Sequence, residues 1–255
     1  MSSWGTKRRN FIITVFASGL FILSGVTIIN LLQKDPTCFD GIQNQGELDI
    51  DCGGPCALMC PHQVAPPVVR WTRFFRIADG AYNAVAYLEN QNPDAKSDPI
   101  HYRFTFYSDR DVILAESSGS VVLRPAQVHP ILADAISTGA LSPSRINFEI
   151  LNKDNINWYI AAPRTSHIRI RNEQLTYQNL APRISAQVEN TAFHTIRDIS
   201  IKIIIYNFEG NAIGASKTYI EEILSNQTKD ILFTWPQDFQ YQVSRFEIIP
   251  IYVNN

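Results

Sequence analysis

The sequence predicts a mainly β protein with an N-terminal transmembrane helix, a short cysteine-rich segment and two tandem β-sandwiches. Three observations predict this fold: one uncharged apolar run, four cysteines confined to a short stretch, and an internal repeat of about 100 residues. Of the 255 residues, 45% are hydrophobic and 18% are charged, which suits a secreted β-protein better than a cytosolic enzyme. The net charge of -2 argues against a nucleic-acid-binding protein, because such proteins carry a basic stripe.

The apolar run covers residues 11–32 and contains no charged side chain. A helix of this length spans the hydrocarbon core of a bilayer, which is about 30 Å thick. Lys7, Arg8 and Arg9 precede it, and the positive-inside rule therefore places residues 1–10 in the cytoplasm as a short tail. The sequence predicts a single-pass protein of the cell membrane with its bulk outside the cytoplasm.

A cleaved signal peptide is the alternative to an anchor. Its apolar stretch would be shorter, about 7–15 residues, and would end in a pair of small residues. The small residues at 17–19 come too early for such an exit, and Ser24 and Gly25 lie inside the apolar run. A lipoprotein would need a cysteine after Gly25, where the chain has Val26. The pattern favours an uncleaved anchor, with cleavage as the remaining alternative.

All four cysteines fall within a segment predicted at residues 36–62, and they are Cys38, Cys52, Cys56 and Cys60. So short a segment cannot bury a core, and in an oxidising compartment two disulfides would hold it together. Spacing leaves all three pairings open. The alternative is a zinc site of four thiolates, or of three with His62, although the segment lacks a CxxC pair.

Oxygen-bearing side chains between the cysteines form a candidate calcium site, with glycines nearby that permit tight turns. The candidate ligands are Asp40, Asn44, Glu47, Asp49 and Asp51. Calcium takes six to eight oxygen ligands from flexible loops, but the spacing does not match an EF-hand. The alternative interpretation is a solvated acidic loop between disulfides.

The same segment resembles a short cysteine motif found in many extracellular and membrane-anchored bacterial proteins. The matching run is Cys38-x-Asp40-Gly41-Ile42-x-Asn44-x-x-Glu47-x-x-x-Asp51-Cys52-Gly53-Gly54-x-Cys56. The resemblance implies an extracytoplasmic location and a small disulfide module, and it carries no catalytic assignment.

The remainder of the chain reads as two copies of one fold, at residues 66–160 and 164–255. The run at 100–107 parallels the run at 199–206, and both have the period of a strand: the first alternates apolar with polar residues, and the second has one apolar face and one mixed face. About seven short strands per copy, separated by turn residues, are typical of an immunoglobulin-like β-sandwich. Residues 130–137 are predicted as a short helix on the first copy.

The second copy resembles the FxLYD-like extracellular domains of bacteria. The resemblance rests on the runs Val188–Asn190, Ile199–Tyr206, Gly210–Gly214 and Ile231–Pro236. It implies an immunoglobulin-like sandwich and no common enzyme activity. The first copy has Asp109-Arg110-Asp111 where the second has Gly210-Asn211, which predicts a different turn there.

The sequence contains few patterns of catalytic chemistry. The five histidines form neither an HExxH motif nor a pair at i and i+4, and there is no Gly-x-Ser-x-Gly. These observations indicate a non-enzymatic scaffold or protein-interaction module of the cell envelope, whose partner is an envelope protein.

The alternative function is a module that binds glycan, cell-wall polymer or another ligand. Tyr82, Tyr87 and Tyr177 are the candidate aromatic contacts for a sugar. A mild basic cluster at the start of the second copy is a candidate for an anionic polymer. Its members are Arg164, Arg169, Arg171 and Arg183.

Overall fold

A computed structural model of the protein describes residues 4–32, 37–163, 166–178 and 181–252. The chain forms two compact units, Met1–Cys60 and Pro61–Asn255, which are described separately. The structure confirms the predicted fold class, because it is mainly β with one apolar N-terminal helix and two disulfides.

The first unit contains the only α-helix of the described residues, α1 (Trp4–Leu32). Within it, Lys7–Ile28 has a mean hydropathy of 2.2 and is long and apolar enough to cross a membrane, a test that a signal sequence also passes. The helix begins inside the stretch predicted as the cytoplasmic tail. The cysteine unit, residues 37–60, consists of turns and one β-bridge between Asp49 and Cys52.

The second unit begins with a single-turn 3-10 helix (Pro61–Gln63) and continues through eight strands. They are β1 (Val68–Ala78), β2 (Ala81–Glu89), β3 (Ala95–Ser97), β4 (Ile100–Tyr107), β5 (Ile113–Val121), β6 (Val128–Ser137), β7 (Arg145–Ile150) and β8 (Trp158–Ile160). A second 3-10 turn, Lys153–Asn155, precedes β8. One antiparallel sheet has the order β1-β2-β6 and faces another of order β5-β4-β7, while β3 pairs with β8. Phe74 of β1 packs edge-on against Phe106 of β4, which joins the two sheets into a sandwich.

Six further strands form the second sandwich. They are β9 (Ile168–Gln178), β10 (Ala181–Asn190), β11 (Ile196–Tyr206), β12 (Ala212–Ile223), β13 (Thr228–Thr234) and β14 (Arg245–Tyr252). The sheets have the orders β13-β10-β9 and β12-β11-β14, and a core of mostly isoleucine side chains lies between them. β-Branched residues fit this pleated, doubly covered surface well.

The two sandwiches repeat the same connectivity, and matching contacts recur at matching positions. Strands β1, β2 and β6 pair in the order of β9, β10 and β13, and β5-β4-β7 corresponds to β12-β11-β14. Arg145 lies over the Tyr107 ring at 4.1 Å, and Arg245 lies over the Tyr206 ring at 3.8 Å. These parallels agree with the predicted repeat, while the predicted boundaries at 66–160 and 164–255 stay predictions.

A buried asparagine lies at the end of the second strand of each sandwich, directly after β2 in the first and as the last residue of β10 in the second. Asn90 is 1% exposed and donates to the carbonyls of Ala95 and Arg124, and Asn190 is 0% exposed and donates to Ile223 and Leu224. Each side-chain amide thus provides a hydrogen-bond donor to backbone carbonyls near the ends of neighbouring strands.

Two local predictions were wrong. Residues 130–137 belong to strand β6 and not to a helix, because they pair along β2, the central strand of the sheet β1-β2-β6. The turn after β4 is the same as the turn after β11. Ser108 N donates to Val112 O and Asn207 N donates to Asn211 O, with Asp111 at a φ of 57° where Gly210 has 75°. An aspartate tolerates this left-handed conformation, so the change of residue does not change the turn.

The two sandwiches pack against each other through the outer faces of one sheet from each. Ile199, Ile201 and Ile203 point from β11 into the second sandwich's own core. The alternate residues Ile204 and Tyr206 point the other way, and they are buried against Val85 and Leu132 of the first sandwich. Both faces of β11 are therefore covered. The second face carries apolar residues among polar ones because part of it forms the interface with the first sandwich.

Ile204→Ala is expected to lower the free energy of unfolding by about 2–5 kcal/mol, as for a buried core position. The reason is that its side chain is 0% exposed and sits between the sandwiches. Urea denaturation of the full-length protein in detergent, followed by tryptophan fluorescence, measures the change. Ile203→Ala, inside the second sandwich, is the matched control and is expected to fall in the same range. A loss below about 0.5 kcal/mol for Ile204→Ala alone, typical of surface sites, would contradict the shared interface.

Candidate functional site

A polar cluster lies within the interface between the sandwiches. The Tyr87 hydroxyl donates to Glu247 at 3.0 Å, and the Tyr206 hydroxyl lies 3.3 Å from the same carboxylate oxygen. Trp71 stacks on Tyr87 with ring centroids 5.0 Å apart. Burial and the neighbouring Glu247 carboxylate raise the pKa of Tyr206 to about 12 and raise the pKa of Tyr87 further. Both phenols therefore stay protonated and act as donors at neutral pH.

One nitrogen base, Lys202, makes a hydrogen bond across the same interface, and a second, His129, makes one within the first sandwich. Lys202 of β11 donates to Pro130 O at 2.6 Å, and burial followed by repulsion from Lys217 lowers the pKa of Lys202 to about 8. His129 of β6 is buried, and its Nε2 accepts from the backbone amide of Arg124 at 3.0 Å. Burial is the main reason that the pKa of His129 is lowered to about 4. The imidazole is therefore a neutral structural acceptor at physiological pH.

Beside this interface the sandwiches leave an open cleft of about 720 Å³. Its walls come from residues 72–77 of β1, from 144–146 at the start of β7, from 211–215 at the start of β12, and from the loop 235–241 after β13. The volume lies within the range of ligand pockets, which are commonly found where domains meet. The cleft is the candidate functional site.

Arginines line the side of the cleft that belongs to the first sandwich. Arg73 donates to Asn211 Oδ1 at 2.7 Å, Arg76 pairs with Asp79, and Arg145 pairs with Asp111 at 2.7 Å. The side chains of Arg76 and Arg145 are each 53% exposed, and a guanidinium has five N–H donors. Both arginines therefore keep donors available for an incoming carboxylate or carbonyl.

Aromatic side chains line the side that belongs to the second sandwich. Trp235 packs edge-on against Phe239 at 5.2 Å, and Tyr241 follows at the rim with 59% exposure. The Phe239 ring covers Gly214, where a Cβ atom would come within 2.8 Å of it. Gly214 thus allows the loop to lie flat on β12 and to present its aromatic residues to the cleft.

The cysteine unit contains the predicted disulfides, paired as Cys38–Cys56 and Cys52–Cys60. Glu47 is buried beside the first pair, with Oε1 3.1 Å from Cys56 Sγ. The group of Cys38, Glu47 and Cys56 is compact enough for a metal ion, but its two sulfurs are bonded to each other. The thiolates that the zinc alternative requires are therefore absent from the described residues.

The candidate calcium ligands hold the backbone of the cysteine unit. The Asp51 carboxylate accepts from the amides of Asp40 and Gly41 at 3.0 Å, and Glu47 Oε2 accepts from Asn44 at 3.2 Å and Asp51 at 3.3 Å. The Asp40 carboxylate accepts from Asn44 Nδ2.

Such contacts fix loops that have no core of their own. Among the described residues, no three of the four acids bring their oxygens within 4.8 Å of one another. Asp49 accepts from the neighbouring amide of Ile50. Calcium binding stays a prediction.

The other sequence candidates do not converge on one site. Tyr82 is 4% exposed and borders the cleft, Tyr87 is in the interface, and the side chain of Tyr177 lies outside the described residues. Arg169 and Arg171 both pair with Glu189, while Arg164 lies outside the described residues. Arg183 is exposed on β10.

Apart from Tyr82, the residues that form the cleft were not predicted from the sequence. Arg73, Arg76 and Arg145 lie in separate strands and carry no motif, so their proximity depends on how the sandwiches pack. One feature of the sequence could have indicated the interface. Ile204 and Tyr206 lie on the second face of β11, where a sheet exposed to solvent would carry polar residues. That face indicates a covering partner, and the first sandwich is the covering partner.

The comparisons with known proteins identify no family. No protein-family model and no curated protein matches the chain. Red sea bream transglutaminase is a similar solved structure at 6% identity and a TM-score of 0.24, over 75% of this chain and 32% of that chain. A putative β-galactosidase from Bacteroides fragilis is 11% identical, with a TM-score of 0.21, over 69% of this chain and 33% of that chain.

A third similar structure is a β-glucuronidase of glycoside hydrolase family 2, at 10% identity and a TM-score of 0.21, over 88% of this chain and 29% of that chain. The chain thus spans about a third of the length of each structure. Scores this low carry no argument about fold or activity, and the resemblances to the cysteine motif and to FxLYD-like domains stay predictions.

Asp51→Ala is expected to speed reduction of the two disulfides about tenfold, because it removes the acceptor for two backbone amides. Dithiothreitol treatment of the full-length protein, with mass spectrometry of trapped thiols, measures the rate. Asp49→Ala is the matched control, since the Asp49 carboxylate accepts from its neighbour's amide and is exposed. Equal rates for the two variants would contradict the bracing role of Asp51.

The same assay tests calcium binding. Slower reduction of the disulfides with added calcium than with a chelator would support the calcium prediction, and the same reduction rate in both conditions would contradict it.

The low pKa of His129 predicts acid destabilisation between pH 6.5 and 4. The unfolded chain binds a proton in this window and the folded chain does not, so stability that is complete above pH 6.5 falls as the pH falls. At pH 4 the protonation of His129 in the unfolded chain lowers the free energy of unfolding by about 3 kcal/mol. Urea denaturation across this range should show a smaller pH dependence in His129→Gln than in the control His101→Gln, whose site is exposed. The same pH dependence in both variants would contradict the assignment.

Proposed function

We propose that the protein is a non-enzymatic scaffold of the cell envelope, anchored by α1 and presenting the cleft between its sandwiches to a protein partner. The cysteine unit and both sandwiches lie outside the cytoplasm in this proposal. The function is binding and presentation.

The proposed location rests on two features of the first unit. The helix α1 is long and apolar enough to span a bilayer, and the basic residues Lys7, Arg8 and Arg9 come at its start. Both disulfides require an oxidising compartment to form and persist. A single-pass anchor with an extracytoplasmic bulk accounts for both features.

The observation that carries the proposed function is the buried interface between the sandwiches. Val85 and Ile204 are each 0% exposed, and Ala215 is 1% exposed. Hydrogen bonds cross the same surface, from Tyr87 to Glu247 and from Lys202 to a backbone carbonyl. Domains that share a tight apolar interface move as one body, whereas a flexible linker alone would leave them independent. A fixed pair of sandwiches holds the walls of the cleft at a constant distance, as a binding surface requires.

The aromatic lining of the cleft favours one second candidate function, the binding of a glycan. Phe239 and Tyr241 would offer ring faces, and Gln237 would offer an amide group to sugar hydroxyls. A glycan would bind in the same cleft, so the two candidate functions differ in the molecule that a crosslinker in the cleft would capture.

A photo-reactive benzoylphenylalanine placed at Tyr241 in the full-length protein is expected to crosslink an envelope protein in intact cells. Tyr241 is exposed at the cleft rim, so a bound partner would lie within reach. Immunoblotting and mass spectrometry of the membrane fraction identify the crosslinked species.

The matched control is the same substitution at Tyr219, which is 56% exposed and lies outside the cleft. One protein captured from Tyr241 and absent from Tyr219 supports the scaffold. Capture of cell-wall polymer would reject the scaffold in favour of the glycan module. Equal capture from both sites would show unspecific contact and would also reject the scaffold.

Retention of the N-terminal helix in the membrane fraction would support the anchor, and its removal would show a cleaved signal peptide.

A further inference from the structure

The cleft passes the edge of a β-strand. Residues Thr72–Ile77 are consecutive, and all six line the cleft. Successive side chains of a strand point to opposite faces of its sheet. A cleft that touches both sets of side chains must therefore run along the edge of β1, and it does not lie over one face.

That edge is open in the described residues. The backbone ladder of β1 is formed with β2 alone, and β1 is the outer strand in the order β1-β2-β6. In an antiparallel pair, every second residue turns its N–H and C=O groups away from the partner. About three residues of Thr72–Ile77 thus offer backbone donors and acceptors to the cleft.

Two backbone carbonyls of the opposing wall already have partners from the first sandwich. The carbonyls of Ala212 and Ala215 on β12 accept from the side chains of Arg73 and Asn83, each at 3.4 Å. Part of the β12 edge is therefore already engaged, which favours the β1 edge as the site for a ligand.

We propose that the cleft binds an extended acidic peptide segment of a partner protein, which adds to the β1 edge as a new strand. This inference rests on the proposed function and names the chemistry of its partner. Strand addition gives affinity through backbone hydrogen bonds, while side-chain pockets give specificity.

The charges on the first-sandwich side of the cleft favour an acidic strand, while the two acidic lining residues, Glu209 and Asp238, lie on the opposite side. Arg76 and Arg145 flank the cleft with half-exposed guanidinium groups that can bind a carboxylate in addition to their present partners. The same positive charges oppose pairing with basic strands and with a second copy of β1, which protects an open edge from aggregation. The aromatic residues Phe239 and Tyr241 then contact apolar side chains on the other side of the added strand.

The test uses a fluorescent peptide of about eight residues, long enough to span Thr72–Ile77, that alternates valine and threonine and includes aspartates. Fluorescence anisotropy with the full-length protein in detergent measures its affinity. A version with aspartates replaced by lysines is expected to bind at least about tenfold more weakly. A chitin oligosaccharide is the competing probe for the glycan candidate.

Backbone N-methylation of the peptide separates strand addition from other modes of binding. An added strand turns every second amide to β1, so methylation at one set of alternate positions is expected to weaken binding by about 100-fold, and at the other set hardly at all. The factor follows from three lost hydrogen bonds, each worth about a factor of five. Hydrogen–deuterium exchange should show protection of Thr72–Ile77 by the bound peptide.

Arg76→Glu is the test variant, with Arg197→Glu as its matched control, since Arg197 is also exposed and paired with an acid but lies outside the cleft. Loss of binding in Arg76→Glu alone supports the proposal. Equal effects of the two methylated sets, binding unchanged in Arg76→Glu, or binding of the chitin oligosaccharide in place of the peptide would overturn it. These outcomes differ from a failure of the scaffold itself, which would appear as no protein crosslinked from Tyr241 in cells.

Discussion

Burial of both faces of β11 is the constraint on which the second unit depends. An antiparallel sheet in a two-layer sandwich ordinarily covers one face and exposes the other. Here Ile203 fills the core of the second sandwich, while Ile204 and Tyr206 fill the interface with the first. Separating the sandwiches would expose these side chains and leave Glu247 and Lys202 without their partners across the interface. Each of these losses is unfavourable, so the arrangement of the two sandwiches is as strongly determined as a core.

The polar groups of the interface determine its register. Apolar surfaces slide past each other at little cost, whereas a buried hydrogen bond requires one alignment of its two partners. Tyr87 and Tyr206 share the Glu247 carboxylate, and Lys217 pairs with Asp134 at 2.5 Å. The raised pKa values of the two phenols and the lowered pKa of Lys202 follow from the same burial. Alignment of the sandwiches in turn fixes the width of the cleft beside them.

The fold class followed from local sequence patterns, and the candidate site did not. Alternation of apolar residues predicted the strands at 100–107 and 199–206, since side-chain direction has a period of two. The helix predicted at 130–137 was wrong because pairing with β2 overrides the local preference of that run. The cleft depends on contacts between residues more than 100 positions apart, such as Arg73 with Asn211, and no periodicity within one strand encodes such a contact. The disulfide pairing was likewise open, because spacing alone does not state which sulfurs meet.

The repeat explains how one fold produced two different surfaces. Each copy retains the elements that hold its own sandwich together, including the buried Asn90 or Asn190 and the arginine over a tyrosine ring. The copies differ on their outer faces: Tyr206 of the second is buried against the first sandwich, while its counterpart Tyr107 is not part of that interface. Positions inside each sandwich are constrained by the shared topology, and outer positions can change without unfolding either copy. A tandem pair can thus gain a fixed interface on one side and keep an open strand edge beside it, which is the combination that a rigid peptide-binding scaffold needs.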